Sequence, residues 1–170
     1  MNHTFQDMSL EYFECNPFEL IAKDWFAVTA ERDGKVNTMT AGWGGFGTMW
    51  GKPCVFVVVR DSRYTKEFMD DADRFSMTFF EGKTGKMVLK YLGSVSGRDE
   101  DKFKNANLGV DYHNGVPYLD DGKVVFICRK MFCAPMEPES FLDENIAPDW
   151  YPEGDYHNLY IAEVEQFLAR

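Results

Sequence analysis

The segment Asn37-Thr38-Met39-Thr40-Ala41-Gly42-Trp43 sets an amide and two hydroxyls on an extended stretch that runs into glycine. Main-chain donors beside small side chains suit the polar edge of a flat heterocycle, because glycine lets the backbone approach a ring closely. A second segment, Arg60-Asp61-Ser62-Arg63-Tyr64-Thr65, ends an apolar run in a cationic, hydroxyl-rich turn where a helix begins. Main-chain N–H groups at a helix start favour an anion, Arg63 can grip phosphate oxygens in bidentate fashion, and Thr65 can donate a hydroxyl bond. The competing reading makes Ser62 an N-cap and Arg63 a solvated charge. Lys52, Arg60, Arg63 and Lys66 outnumber Asp61 locally, a positive island on a chain whose net charge is −10. Together the two segments suit a planar ring with a phosphorylated tail.

Other residues carry weaker signals. Gly42-Trp43-Gly44-Gly45-Phe46-Gly47 satisfies the G-x-G-x-x-G pattern, yet Gly51 and Pro53 follow so soon that no phosphate-binding helix can open there. A tight glycine loop is expected instead. In 94–103, the acidic residues Asp99 to Asp101 read as a helix start, leaving Ser96, Gly97 and Arg98 for a substrate or ligand. His157 opens the last apolar stretch and is the candidate catalytic group, able to donate a proton or a hydrogen bond beside a reducible ring. A merely half-buried strand-end histidine is the alternative. Cys15, Cys54, Cys128 and Cys133 are irregularly spaced among apolar neighbours and read as mostly reduced core residues. Cys128 and Cys133, five apart on a strand, should face opposite ways, and His3, His113 and His157 are far apart, so no metal site is expected.

Positioning these groups falls to strands expected over 25–31, 36–43, 54–60, 75–80, 124–133 and 156–167. Asp-Gly pairs at Asp33-Gly34 and Asp121-Gly122 signal hairpins and hence antiparallel pairing. Short helices are expected over 64–72, over 85–92 with Thr84 as cap and Gly93 as stop, and from about Asp99. The result is an all-β antiparallel barrel with peripheral helices, in one domain over residues 1–170. Residues 136–154, rich in Pro, Glu and Asp, read as an irregular excursion. Leu159 and Ile161 alternate with Tyr160, Ala162 and Val164, so both faces of the last strand are apolar. A second subunit or a helix of the same chain would cover the outer one.

With 45% hydrophobic residues the chain can bury a full core, and its longest strongly apolar run, 54–59, is far shorter than the ~20 residues of a membrane span. The start of the chain lacks a basic segment and an apolar stretch, so no secretory signal and a cytoplasmic location are expected. The acidic balance argues against nucleic acid as a partner.

Several blocks, in this order, resemble the flavin reductase-like family, specifically the flavoredoxin branch of the FMN-binding split barrels. They are 37–43, Met49-Trp50-Gly51-Lys52-Pro53, 57–65, Ser96-Gly97-Arg98-Asp99 with Asp101-Lys102-Phe103, and His157 before 160–164. The resemblance implies a homodimeric, antiparallel Greek-key barrel with FMN near the subunit interface. Asn37, Thr38, Met39, Thr40 and Ala41, with Trp43, would line the ring. Ser62, Arg63, Tyr64 and Thr65 would hold the ribityl phosphate with Arg60 nearby. His157 would face the place where a nicotinamide or other reductant stacks, and Ser96 and Arg98 are weaker candidates for substrate. One departure is Tyr156, which separates Asp155 from His157 where the family runs Gly-Asp-His. The implied activity is an FMN-dependent oxidoreductase passing reducing equivalents from NAD(P)H or another donor to a flavin, metal or protein acceptor. The alternatives are a flavoredoxin-like electron carrier that turns over no small molecule, and a barrel that stores or senses a flat ligand without redox work.

Overall fold

Apolar residues at every second position of the extended stretches form one core when the stretches pair. Phe26, Val28 and Ala30, Val55, Val57 and Val59, Phe75, Met77 and Phe79, and Tyr160, Ala162 and Val164 meet around Phe126 in a single cluster. The computed structural model, which describes residues 4–170, contains strands β1 (Gln6–Met8), β2 (Phe26–Arg32), β3 (Lys35–Ala41), β4 (Gly44–Met49), β5 (Lys52–Arg60) and β6 (Arg74–Phe79). They are followed by β7 (Val110–His113), β8 (Val116–Leu119), β9 (Val124–Pro135) and β10 (His157–Ala169). Helical segments are α1 (Pro17–Glu19), α2 (Tyr64–Asp71), α3 (Gly82–Ser94), α4 (Lys102–Ala106) and α5 (Ile146–Trp150). His3 and the start of the N-terminal signal reading lie outside the described residues.

The main sheet runs β3-β2-β6-β9-β10-β5-β4, with β1 beside the end of β10, and the strand pairs are antiparallel. β10 pairs with β9 along its whole length, while its other edge pairs first with β5 and then with β1. That divided edge lets the sheet curl until β3 approaches β5. The outer face is covered in parts. Leu89 and Leu92 of α3 pack with Ala27 on β2, and Val116 and Tyr118 of β8 pack with Val125, Ile127 and Leu168. Farther along, Phe56, Ile161 and Phe132 stand in register on the outer side of β5, β10 and β9, with Phe132 exposed.

All six expected strands are present, as are the helices at 64–72 and 85–92, and the helix expected from about Asp99 begins at Lys102 with Asp101 as its cap. Five readings need correction. The glycine segment is strand β4, not a loop: Gly44 lies so near β5 that a Cβ would sit 2.0 Å from the Phe56 carbonyl oxygen, and glycines carry none of the β-branched signal of a strand. The Asp121-Gly122 turn joins strands that part, β8 pairing back to β7 and β9 crossing to β6, so it is no hairpin. By contrast, Asp33 and Gly34 do connect β2 to β3 with both residues at positive φ. Thr84 lies inside α3, whose flanking residues are Glu81 and Val95, so neither Thr84 nor Gly93 ends it. Cys15 and Cys133 are exposed, which leaves Cys54 and Cys128 as the core cysteines. Finally, a bulge at Met131 breaks the alternation of β9: Cys128 and Cys133 register with Val164 and Tyr160, four apart on one face of β10. Among the described residues no helix is long and apolar enough to cross a membrane.

Phe126 is fully buried and touches Phe13, Phe46, Phe79 and Phe167 with ring centroids 4.9 to 6.0 Å away. Replacing it with alanine opens a cavity in the middle of this cluster. Phe126→Ala is expected to destabilise the fold by about 4 kcal/mol, read from the urea midpoint at unchanged slope.

Candidate functional site

Strand β3 separates its two sets of side chains. Thr38 and Thr40 turn outward, where the Thr38 hydroxyl donates to the Val28 carbonyl (3.1 Å) and accepts from Thr29 (3.0 Å), and Thr40 donates to the Leu89 carbonyl of α3 (2.5 Å). Both hydroxyls are thus spent on the scaffold. Asn37, Met39 and Ala41 turn the other way. Buried Asn37 donates from Nδ2 to the Thr65 hydroxyl at 2.9 Å, locking β3 to the first turn of α2. Its Oδ1 is packed so closely under Gly97 that a Cβ there would lie 2.2 Å away.

Strand β5 ends at Arg60, whose register partner is His157 at the start of β10. The Arg60 guanidinium donates to the carbonyls of Asp155 (2.9 Å) and Trp150 (3.0 Å) and lies 5.0 Å from the Tyr151 ring. It therefore ties the 136–156 excursion to the sheet rim. Ser62 is neither a cap nor free: its N–H and hydroxyl both donate to the Asp155 carboxylate, at 3.0 and 2.6 Å. Arg63 flanks α2 without a side-chain cap and donates one N–H to the Gly93 carbonyl at 3.0 Å, leaving other donors on the guanidinium. Beyond it, the first N–H groups of α2 are the ones a helix leaves without internal acceptors.

Lys102, which the sequence reading passed over, is buried here. Its ammonium donates to the carbonyls of Thr38 (3.0 Å) and Leu92 (2.9 Å), and burial, helped by Arg63, brings its pKa down to about 8. A cavity of about 460 Å³ lies between these groups, lined by Arg60, Arg63, Thr65, Ser96, Lys102 and Met39 among others. Tyr64 and Asp155 also border it. Arg98 is not on its lining: it pairs with Glu67, donates to the Ser62 carbonyl at 3.3 Å and lies 4.6 Å over the Tyr64 ring.

Met39, Arg60 and Arg63 also line a neighbouring cavity of about 270 Å³ whose other walls include Ala41, Trp43, Trp150 and His157. Here rings dominate. Trp43 packs against His157 and edge-on to Trp150, with centroids 5.0 Å away in each case. His157 is buried, its Nδ1 lies 2.8 Å from the Tyr151 hydroxyl, and burial together with the Arg60 charge lowers its pKa to about 4. The imidazole is therefore neutral at pH 7, a hydrogen-bonding wall rather than a stored proton.

The structure thus brings Met39, Ala41, Trp43, Arg63, Tyr64, Thr65, Ser96 and His157 to the walls of one trough, with Asn37 buried behind Thr65 and lining neither cavity. Arg60, Ser62 and Thr40 also stand on these walls, but they donate to groups of the protein itself, as do Thr38 and Arg98, which line neither cavity. Sequence reading missed Lys102, Trp150, Tyr151 and Asp155. Lys102 had a signal in Asp101-Lys102-Phe103, but the aromatic pair sits in a segment with no periodicity.

A cationic compartment joined to an aromatic one fits a molecule with a flat ring and an anionic tail. The fold resembles solved structures of proteins named as FMN-binding or as flavoredoxins. An FMN-binding domain of a flavin reductase-like enzyme from Shewanella baltica aligns at a TM-score of 0.70 with 19% identity, covering 99% of this chain and 78% of that one. A flavoredoxin from Methanosarcina acetivorans aligns at 0.66 with 22% identity over 86% of this chain and 68% of that one. An FMN-binding protein from Thermus thermophilus, with bound p-hydroxybenzaldehyde, aligns at 0.66 with 23% identity over 97% and 79%. No curated protein sequence matches significantly. The family model described as flavin reductase like domain matches residues 19–170, and the chain belongs to that family.

Proposed function

We propose that this protein is an FMN-dependent oxidoreductase that moves reducing equivalents from NAD(P)H or another donor to a flavin, metal or protein acceptor. The observation that carries this reading is the continuity of the two compartments through Met39, Arg60 and Arg63. Arg63, Lys102 and the first turn of α2 would take the phosphate, while Met39, Ala41 and Trp43 would flank the ring. When bound, FMN supplies the electron chemistry, and the protein contributes binding, orientation and electrostatics. Trp43 and Trp150, both partly exposed, stand edge-on to each other on the wall of the ring compartment, and neutral His157 offers hydrogen bonding without adding charge beside the ring. The outer patch of Phe56, Ile161 and Phe132 supports a homodimer, since a second copy would bury apolar rings that this chain leaves partly open.

A second reading, an electron carrier of the flavoredoxin kind, is favoured by charge. From 131 to 169 there is no lysine or arginine, and the acidic excursion borders exposed Trp150. Such a rim suits docking of a basic redox protein. Steady-state NAD(P)H oxidation with added flavin separates the two: turnover supports the enzyme, and its absence with fast electron exchange to a protein partner supports the carrier.

The purified protein is expected to show flavin absorption bands that NADH bleaches, and a protein that takes up no FMN overturns the reading. Arg63→Ala is expected to weaken FMN binding by roughly 2 kcal/mol in a fluorescence titration, the loss of a charge-assisted contact. Lys102 is cationic below pH about 8 and loses its charge above it, so FMN affinity should decline as pH rises through that value. Lys102→Met should flatten the decline.

A further inference from the structure

The cationic cavity already holds an anion of the chain's own. Both oxygens of the Asp155 carboxylate are engaged by Ser62, one by its N–H at 3.0 Å and the other by its hydroxyl at 2.6 Å. Paired main-chain and hydroxyl donors at a helix entry are what a phosphate would otherwise take. The carboxylate is held in place by the main chain. Asp155 accepts Arg60 Nη1 through its own carbonyl at 2.9 Å, and the Asp61 N–H donates to the next carbonyl, that of Tyr156, at 3.2 Å. Two residues later His157 enters the sheet opposite Arg60. Asp155 borders the same cavity as Arg63 and Lys102, and Asp99 adds a second carboxylate to its lining.

We infer that Asp155 is a specificity-determining residue for the tail of the bound flavin. It occupies the Ser62 donors and sets a negative charge beside any phosphate drawn to Arg63 and Lys102. The attraction of the cations for a dianion is thereby offset, whereas an uncharged ribityl chain meets no such opposition. The ring compartment, with Met39, Ala41 and Trp43 among its walls, meets the same isoalloxazine ring in either flavin. The site consequently accepts riboflavin and FMN on similar terms. This inference rests on the flavin reading of the trough.

Titrating flavin-depleted protein with riboflavin and with FMN, by quenching of flavin fluorescence, tests it. The wild-type dissociation constants are expected to lie within about tenfold of each other, and the isosteric Asp155→Asn change to tighten FMN by about tenfold while leaving riboflavin unchanged. A wild-type preference for FMN by several orders of magnitude overturns the inference without any variant. So does an Asp155→Asn protein in which both flavins shift together or FMN loosens, because the carboxylate would then be organising the loop. If neither flavin binds the wild type, the flavin reading itself fails, and that outcome differs from a failure of selectivity alone.

Discussion

Arg60 is the constraint on which the site depends. The half-buried Arg60 guanidinium, at the end of an interior strand, donates to the carbonyls of Trp150 and Asp155, some ninety residues away in sequence. Those two bonds draw an excursion with little sheet pairing of its own down onto the rim of the barrel. Trp150, Tyr151 and Asp155 are delivered together as a result. The same charge helps keep His157 neutral, so one side chain both builds the far wall of the trough and sets its electrostatic character.

The barrel explains why the trough opens at that rim. Alternate residues of β2, β5, β6, β9 and β10 fill the interior with aromatic and aliphatic side chains that pack as one cluster. Strands β3 and β5 approach at the end of the curled sheet, and the space beyond them is closed by α2, the 94–101 loop and the excursion. Met39 belongs to both regions: it packs in the core cluster and lines both cavities. Core packing therefore determines the floor of the site, and a change there would be felt by the ligand.

Burial of Lys102 ties local chemistry to the scaffold in a similar way. An ammonium taken out of water is costly unless it is bonded, and the Thr38 and Leu92 carbonyls supply acceptors from β3 and α3. The lysine thus joins two elements that flank the cavity while keeping a cation at its edge. Thr38 and Thr40, whose hydroxyls resemble ligand groups in sequence, serve the same joining purpose on the opposite face of β3.

Sequence alone determined the six strands β2, β3, β5, β6, β9 and β10, the helix after Arg63 and the placement of Asn37, Met39 and Ala41 opposite the two threonines, because period-two alternation and helix-entry chemistry are local properties. It also separated the glycine run from a dinucleotide fingerprint, since Gly51 and Pro53 leave no room for the helix that fingerprint needs. Which partner each polar group meets was decided by tertiary structure. Ser62 and Asp155 are 93 residues apart, and whether Ser62 holds a phosphate or the chain's own carboxylate depends on the pairing of β10 with β5. The bulge at Met131, the strand formed by the glycines and the depressed pKa values of His157 and Lys102 likewise arise from how distant segments pack and exclude water, and no short window of sequence encodes that.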